Sequence, residues 1–399
     1  MTIPGAYNAT VDEFGARGDG QTDDAPAITK AIDYAYAAHG GVVLLPAGQY
    51  YLKNLKEGER LAVPAGVTLK GVGWNTIGSY SDPSFGSWIC VDAGAQFSPV
   101  TITGAGGAVR DLAFKVSGQD PTPQVASPMI HVQADDAFIE NVFLLNPYGG
   151  VFIDGVARAT VRRLFGQPLA YGIQADGSED TNYIEDIHFF PYWGIDNPDV
   201  YNYQLANGKA IVLRRCDNPH ISNVFASFYN IGLSLEGADP TTSPHKVHLV
   251  NADFDCCVSG VSLHAMGNPD LSTNAQLINV TIQAPGPDDF PVAIRASVKI
   301  PVGHGLWLQA GSAYATVQAS NLRITNSGID AIRIDAGNAT FYGDNTYIGG
   351  WQGSDGICIA SSTSKAYLGA GFDYPANSAN PCHPVSQFQF SSPAASPRP

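Results

Sequence analysis

Over most of this chain, apolar residues alternate strictly with variable ones for only a few positions at a time. Between residues 150 and 361 one phrase recurs eight times: a small residue, then two apolar positions flanking a variable one. It reads Gly150-Val-Phe-Ile-Asp, Gly172-Ile-Gln-Ala-Asp, Ala210-Ile-Val-Leu-Arg, Gly232-Leu-Ser-Leu-Glu and Gly260-Val-Ser-Leu-His, then Gly305-Leu-Trp-Leu-Gln, Ala331-Ile-Arg-Ile-Asp and Gly356-Ile-Cys-Ile-Ala. Alternation of this kind marks a strand with one buried face, and its repetition marks a solenoid. Successive starts lie 22, 38, 22, 28, 45, 26 and 25 residues apart, so the coils are unequal and carry insertions.

A second phrase runs in step: apolar, two polar, apolar, any, apolar or small. Val109-Arg-Asp-Leu-Ala-Phe, Ile139-Glu-Asn-Val-Phe-Leu and Val161-Arg-Arg-Leu-Phe-Gly follow it, as do Ile184-Glu-Asp-Ile-His-Phe, Ile221-Ser-Asn-Val-Phe-Ala and, less cleanly, Leu277-Ile-Asn-Val-Thr-Ile. Each coil therefore holds at least two strands joined by a short bend, and each needs neighbours to bury its inward face. A right-handed parallel β-helix satisfies this. A β-propeller is the rival, but its four-stranded blades ask for a steadier period.

One segment is helical instead. Asp24 can cap it, Pro26 suits its first turn and Gly40-Gly41 can end it. Ile28, Ala31, Ile32, Ala35 and Tyr36 fall on one face, which predicts an amphipathic helix covering the open end of the solenoid. Asp19, Asp23 and Asp24 read as turn and cap residues rather than metal ligands.

Composition narrows the class. Of 399 residues, 44% are hydrophobic and only 14% charged, with 43 Gly and 27 Pro, which suits a β-rich body with many turns. The organisation expected is all-β: one domain over residues 1–390, with an N-terminal cap at about 10–70 and coils at about 70–375, then a disordered tail at 391–399. The net charge of −15 and the absence of a basic run exclude a nucleic-acid partner, and no stretch is long enough to cross a membrane. The same charge speaks against a highly anionic glycan unless arginines or a cation offset it. Cys90, Cys216, Cys256, Cys257, Cys358 and Cys382 show no Cys-x-x-Cys pair or zinc spacing, and Cys256 and Cys358 fit buried thiols. His131, His188, His220 and His248 show no metal-ligand spacing and read as strand or turn histidines. No cofactor is expected.

Val11-Asp-Glu-Phe-Gly-Ala-Arg-Gly-Asp-Gly-Gln-Thr-Asp-Asp-Ala-Pro-Ala-Ile, followed by Gly40-Gly-Val-Val-Leu-Leu-Pro-Ala-Gly-Gln-Tyr, resembles the opening of pectate-lyase-superfamily, polygalacturonase-related proteins. That group includes hydrolases, β-1,3-glucanases of the β-helix type and phage tailspike depolymerases. The resemblance implies a right-handed β-helix and a carbohydrate ligand, without fixing the reaction. It also implies an extracellular or periplasmic location, although no signal peptide precedes Val11.

Equivalent positions of stacked coils lie about 4.8 Å apart, so outward columns can be read from the phrases. One column holds Asp154, Asp176, Arg214, Glu236, His264, Gln309 and Asp335; the other holds Phe152, Gln174, Val212, Ser234, Ser262, Trp307 and Arg333. Glycoside cleavage asks for two carboxyls, about 5 Å apart for retention or 6.5–9.5 Å for inversion. Asp154 with Asp176, or Asp176 with Glu236, suit those spacings, with Arg214 between the latter two and His264 beyond. The bland reading is a solvated polar face. Tyr148, Tyr192, Trp193 and Tyr229 fill bends before the Gly-strands, and Tyr201 and Tyr203 fall on an inserted loop with Asp199; all six are candidate sugar-stacking residues. Gly303-His-Gly305 and Arg333-Ile334, with Asp288-Asp289 and Asn268-Pro-Asp270 upstream, look like polygalacturonase fragments. Asp289 and His304 are only 15 residues apart, too few for a full coil.

The leading expectation is a glycoside hydrolase acting on a polysaccharide or oligosaccharide, with acid/base carboxyls from Asp154, Asp176 and Glu236. A lyase is the second reading, with Arg214, Arg215 and His264 serving base and carboxylate-neutralising roles. A non-catalytic glycan-binding β-helix, including a trimeric spike, is the third. A start at Val11 leaves no particle-attachment domain, which weakens a complete tailspike.

Overall fold

The computed structural model describes residues 8–53, 60–75, 85–94, 96–237, 242–264, 275–311, 314–352, 356–371 and 388–390. The tail at 391–399, Cys382 and the Asn268–Asp270 segment lie outside them. The chain divides into two compact units, residues 1–174 with 181–195 and residues 175–180 with 196–399.

In the first unit, the strands Leu61–Val63, Val100–Ile102, Pro128–Val132 and Gly149–Asp154 stack in parallel as one sheet. A second parallel sheet includes Ala108–Arg110, Phe138–Leu144, Thr160–Gly166 and Tyr183–Phe189. The second unit repeats this plan. Its Gly-strand sheet runs Lys209–Leu213, Ile231–Glu236, Ser259–His264, Leu306–Leu308, Ile332–Ile334 and Ile357–Ile359. Its long-strand sheet runs His220–Ser227, Val247–Asp255, Ala275–Gln283 and Thr316–Ser327, then Thr340–Asp344 and Lys365–Leu368. Each unit is thus built of β-helix coils, and connections between parallel strands of this kind are right-handed.

The inward positions match the alternation. Val151, Ile153, Ile173, Ile211, Leu213, Leu233, Leu235, Val261, Leu263, Leu306, Leu308, Ile332 and Ile334 are all fully buried. The small residue opening each phrase has a steric cause. A Cβ on Gly232 would meet the Phe254 ring at 2.3 Å, and one on Gly260 would meet Ile282 at 2.5 Å. The Gly-strand therefore lies directly on inward side chains of the opposite sheet.

The polar pair of the second phrase also has a backbone role that periodicity does not reveal. Its second residue is left-handed: Asp111, Asn141, Arg163 and Asp186 in the first unit, Asn223, Asn251, Asn279 and Asn321 in the second, at φ 53 to 56°. One left-handed residue bends the strand, and Asn or Asp tolerates this better than other side chains. The side chains then link coil to coil. Asn251 Nδ2 donates to Asn223 Oδ1 at 3.3 Å, Asn279 to Asn251 at 3.0 Å and Asn321 to Asn279 at 2.8 Å, and Asn345 donates to Asn321.

The helix spans Ala25–Ala37 and buries Ala27, Ile28, Ala31, Ile32 and Ala35; it packs near the strands Asn8–Thr10, Gly41–Leu44, Leu61–Val63 and Val67–Lys70. Two expectations change. Tyr36 points outward, 55% exposed. Asp24 stands at the N-cap but makes no side-chain cap bond; its carboxylate accepts from the Arg17 and Gly18 amides at 2.7 and 3.1 Å, pinning the preceding loop. Asp23 Oδ1 accepts from Ala25 N at 3.3 Å, and Asp19 closes a turn on Gln21 and Thr22 at 2.9 and 2.7 Å.

The inserted segment expected as a loop is a second helix, Pro198–Asn207, capped by Asn197 Oδ1 accepting from Asp199 N at 3.0 Å. Asn followed by Pro at the first helical position is a helix-start pattern, related to the Asp24-Ala25-Pro26 start of the first helix. Cys90, Cys216, Cys256 and Cys257 are free and buried. Cys358, expected as a buried thiol, is disulfide-bonded.

The asparagine ladder yields a graded prediction. Asn279→Val loses the amide bonds and places a β-branched residue at positive φ, and should destabilise the fold by about 2–4 kcal/mol. Asn279→Gly loses the bonds alone and should cost about half of that. Urea unfolding that ranks Gly equal to or worse than Val would contradict the backbone role.

Candidate functional site

Asp176, Arg214, Glu236 and His264 do come together, all in the second unit. With Arg215, Gly237 and Thr242 they line an open depression of about 530 Å³. Glu236 and His264 are register partners on adjacent strands. Lys209 Nζ and Ser234 Oγ both donate to Glu236 Oε1, at 2.5 and 2.8 Å, and Arg214 Nε approaches Oε2 at 3.4 Å. Arg214 Nη1 also lies 3.8 Å from Asp176 Oδ2, so one guanidinium stands between the two carboxylates. Burial alone would push the Glu236 carboxyl up. Lys209, Ser234 and Arg214 together outweigh it and hold the group below its ordinary value. Glu236 is therefore ionised and makes a poor proton donor.

Asp154 belongs to the first unit, where its Oδ2 is 2.9 Å from His131 Nε2. The His131 ring stacks on Phe152 at 5.1 Å.

The aromatic candidates separate. Tyr148 packs edge-on against Tyr171, with ring centroids 6.1 Å apart. It precedes the strand Gly149–Asp154, so it stands at the opposite end from Asp154, roughly 20 Å away at strand rise. Tyr201 and Tyr229 are buried and cannot wall a groove. The Pro198–Asn207 helix turns Tyr201 onto Phe228 and Phe290, at 5.0 and 5.2 Å, while Tyr203 stays half-buried on the same helix. These tyrosines went inward because a helix and a closing bend need apolar anchors of their own.

Tyr192 and Trp193 lie in a richer setting, on the outward face of the long-strand sheet of the first unit. Phe143, Phe165 and His188 are register partners on three successive strands there. Trp74 stacks on Phe143 at 5.1 Å and tilts over Phe165 at 5.3 Å. Phe165 stacks on His188 at 5.6 Å, and Tyr192 meets Phe143 edge-on at 5.2 Å. The Tyr192 hydroxyl and His188 Nδ1 share a hydrogen bond of 2.9 Å. Gln167 Oε1 accepts from the Trp193 and Gly194 amides at 2.7 and 3.0 Å, fixing the bend that carries Tyr192. Trp74, Phe165, His188, Tyr192 and Trp193 all keep part of their surface in solvent. Burial pushes the His188 imidazole below its ordinary value and the Tyr192 phenol up to about 12. At neutral pH this pair is an uncharged base beside an uncharged hydroxyl, on an aromatic floor.

His188 was read from sequence as a strand histidine. Its marker in the sequence is its place in the second phrase, where the equivalent positions are Phe143 and Phe165.

The polygalacturonase-like fragments form a different arrangement. Asp330 is fully buried between His304 Nδ1 at 3.5 Å and Arg333 Nη1 at 3.3 Å. Arg333 Nε and Trp307 Nε1 both reach Asp335, at 2.6 and 2.9 Å. Asp288 pairs with Arg295 at 2.5 Å, and Asp289 faces Asp255 and Cys256. Among the described residues, no group of three His, Cys, Asp or Glu side chains is placed to hold a metal ion.

Several known proteins are similar. Mannuronan C5-epimerase AlgE4 of Azotobacter vinelandii is 51% identical over 69 residues, 17% of this chain and 12% of that protein. Alginate lyase 7 of the same organism is 45% identical over 69 residues, 17% of this chain and 8% of that protein. The chain thus spans only a small part of these relatives' length. Among solved structures, the exopolygalacturonase of Thermotoga maritima has a TM-score of 0.53 at 12% identity, covering 92% of this chain and 91% of that one. The tailspike of E. coli bacteriophage HK620 has a TM-score of 0.58 at 10% identity, covering 92% of this chain and 67% of that one. At these identities the likeness is one of fold, the right-handed parallel β-helix. Residues 9–274, more than half the chain, match the family described as rhamnogalacturonase A/epimerase, pectate lyase-like, and the chain belongs to that family.

Proposed function

We propose that this chain acts on a uronate-containing polysaccharide by proton transfer at the carbon next to the sugar carboxylate. The observation that carries the reading is the Tyr192–His188 hydrogen bond, set on a half-buried aromatic floor. Sugar rings pack on aromatic faces, so Trp74, Phe165 and Trp193 would hold a pyranose against the pair. With His188 Nδ1–H donating to the Tyr192 oxygen, Nε2 can take the carbon-bound proton and the phenol O–H can give one. If a different, solvent-exchanged proton is then added at the opposite face, the sugar is epimerised. If the electron pair instead expels the neighbouring glycosidic oxygen, which takes a proton, the chain is cleaved and a double bond is left. Either route needs positive charge on the carboxylate as the carbanion develops. Arg163, with its guanidinium 5.8 Å from the Phe165 ring centre, is the candidate. The names of the Azotobacter vinelandii relatives, mannuronan epimerase and alginate lyase, accord with this chemistry.

Hydrolysis is the other reaction to weigh, and its seat would be Asp176 and Glu236. It asks for one carboxyl that keeps its proton. Glu236 is held ionised, and Arg214 occupies the space between the carboxylates where water and the anomeric carbon would meet. That column reads better as a neutralised polar face. Asp154 pairs with His131 instead.

The test is a screen of alginate, polygalacturonate and neutral glucans, read by reducing ends, unsaturated-product absorbance and sugar composition. A new double bond or an altered uronate composition is expected; new reducing ends without either would return the reading to a hydrolase. On the substrate found, His188→Gln and Tyr192→Phe should each lower kcat by about a hundredfold or more with the fold intact. Because burial lowers the His188 value, the acid limb of wild-type kcat/KM should lie below the ordinary histidine value of about 6.5 and vanish in His188→Gln.

A separate prediction concerns the Glu236 network. A carboxyl with a lowered folded-state value adds stability that is fully present above its unfolded value, about 4.3 for Glu, and is lost as pH falls through the lower folded value. Lys209→Met should therefore reduce unfolding stability at pH 7, and the gap to wild type should close in acid. A gap independent of pH would show that Lys209 acts through packing alone.

A further inference from the structure

The second unit carries another column of outward side chains that belongs to neither site above. His220, His248, Gln276, Gln318, Tyr342 and Tyr367 are register partners on successive strands of the long-strand sheet. Every member is flat. The His220 and His248 rings stack at 4.7 Å, and Tyr342 and Tyr367 stack at 4.8 Å with planes 13° apart. Five strand intervals make the ladder roughly 24 Å long. Its distal part opens into a depression of about 540 Å³, with Ser320, Asp344 and Ile278 along one side. Tyr342 is 42% exposed and Ile278 38%. Among the described residues, neither the Gln276 nor the Gln318 amide is hydrogen-bonded.

We infer that this ladder is a binding platform for a neutral saccharide chain, lying along the stacked coils with its rings on Tyr342 and Tyr367. A concave site that joins aromatic side chains to a few polar groups suits a ligand with both apolar and hydroxylated surfaces. The amides offer paired donors and acceptors suited to sugar hydroxyls. Among the described residues no cation lines the depression and Asp344 is the charged member, which disfavours a uronate chain and suits an uncharged one. This platform goes beyond the reaction proposed at His188 and Tyr192, and stands if that reading fails.

The experiment is calorimetric titration of the full chain with cellohexaose, xylohexaose, mannohexaose and maltohexaose, with hexagalacturonate as the charged control. At least one neutral probe should bind. Tyr342→Ala and Tyr367→Ala should each weaken that binding about tenfold, Tyr342→Phe should retain it, and His188→Gln should leave it unchanged. Both tyrosines are partly solvent-exposed, and thermal unfolding of the Ala variants checks that the fold survives. The inference is overturned if no neutral probe binds, if the Ala variants bind as wild type does, or if hexagalacturonate binds more tightly at these tyrosines. It is equally overturned if light scattering shows self-association that Tyr342→Ala abolishes, which would make the ladder a contact for a second copy.

Discussion

Backbone hydrogen bonds between successive coils are the constraint on which the remainder depends. Within each unit they hold equivalent residues at strand spacing, so an outward side chain inherits its neighbours from the coils above and below. Two local devices let the coils close. A small residue opens the Gly-strand because Phe254 and Ile282 lie where a Cβ would stand. A left-handed Asn or Asp bends the long strand, and in the second unit its amide joins a ladder from Asn223 to Asn345. Once both are in place, side-chain chemistry is organised in columns, and adjacent columns on one sheet can differ entirely in character.

Three columns show how environment decides what the same residue types do. In the Asp176–His264 column charge is met by charge: Lys209 and Arg214 hold Glu236 ionised. In the Phe143–His188 column there is little charge, and burial keeps the imidazole and the Tyr192 phenol neutral. In the His220–Tyr367 column, flat side chains stack, and among the described residues no cation lines their depression. The net charge of −15 resembles none of these local balances. At the His188–Tyr192 pair desolvation, rather than ion pairing, sets the protonation state.

The solenoid was legible because a period of two is a strong signal, and every inward residue read from the Gly-phrases is buried. The strands Leu61–Val63, Val100–Ile102 and Pro128–Val132 of the same sheet escaped notice because they lack the opening small residue. Column stacking also placed Asp176, Arg214, Glu236 and His264 together. What stacking could not tell is how a carboxylate is satisfied, since Lys209 reaches Glu236 from the start of its neighbouring strand. Nor could it tell which way bend aromatics point: Tyr192 stays at the surface, whereas Tyr201 and Tyr229 are drawn into the core. The outward position of His188 follows from the same alternation, but its partnership with Tyr192 depends on a bend whose direction alternation does not encode.

The most direct test of proton transfer at the His188–Tyr192 pair is solvent isotope incorporation during turnover of a uronate polymer in deuterium oxide. Epimerisation predicts deuterium at the carbon bearing the carboxylate in the altered residues, and elimination predicts loss of that hydrogen with formation of a double bond. Both should disappear in His188→Gln. Product with a new reducing end, an intact carbon-bound hydrogen and no unsaturation would contradict the account and return the chemistry to hydrolysis.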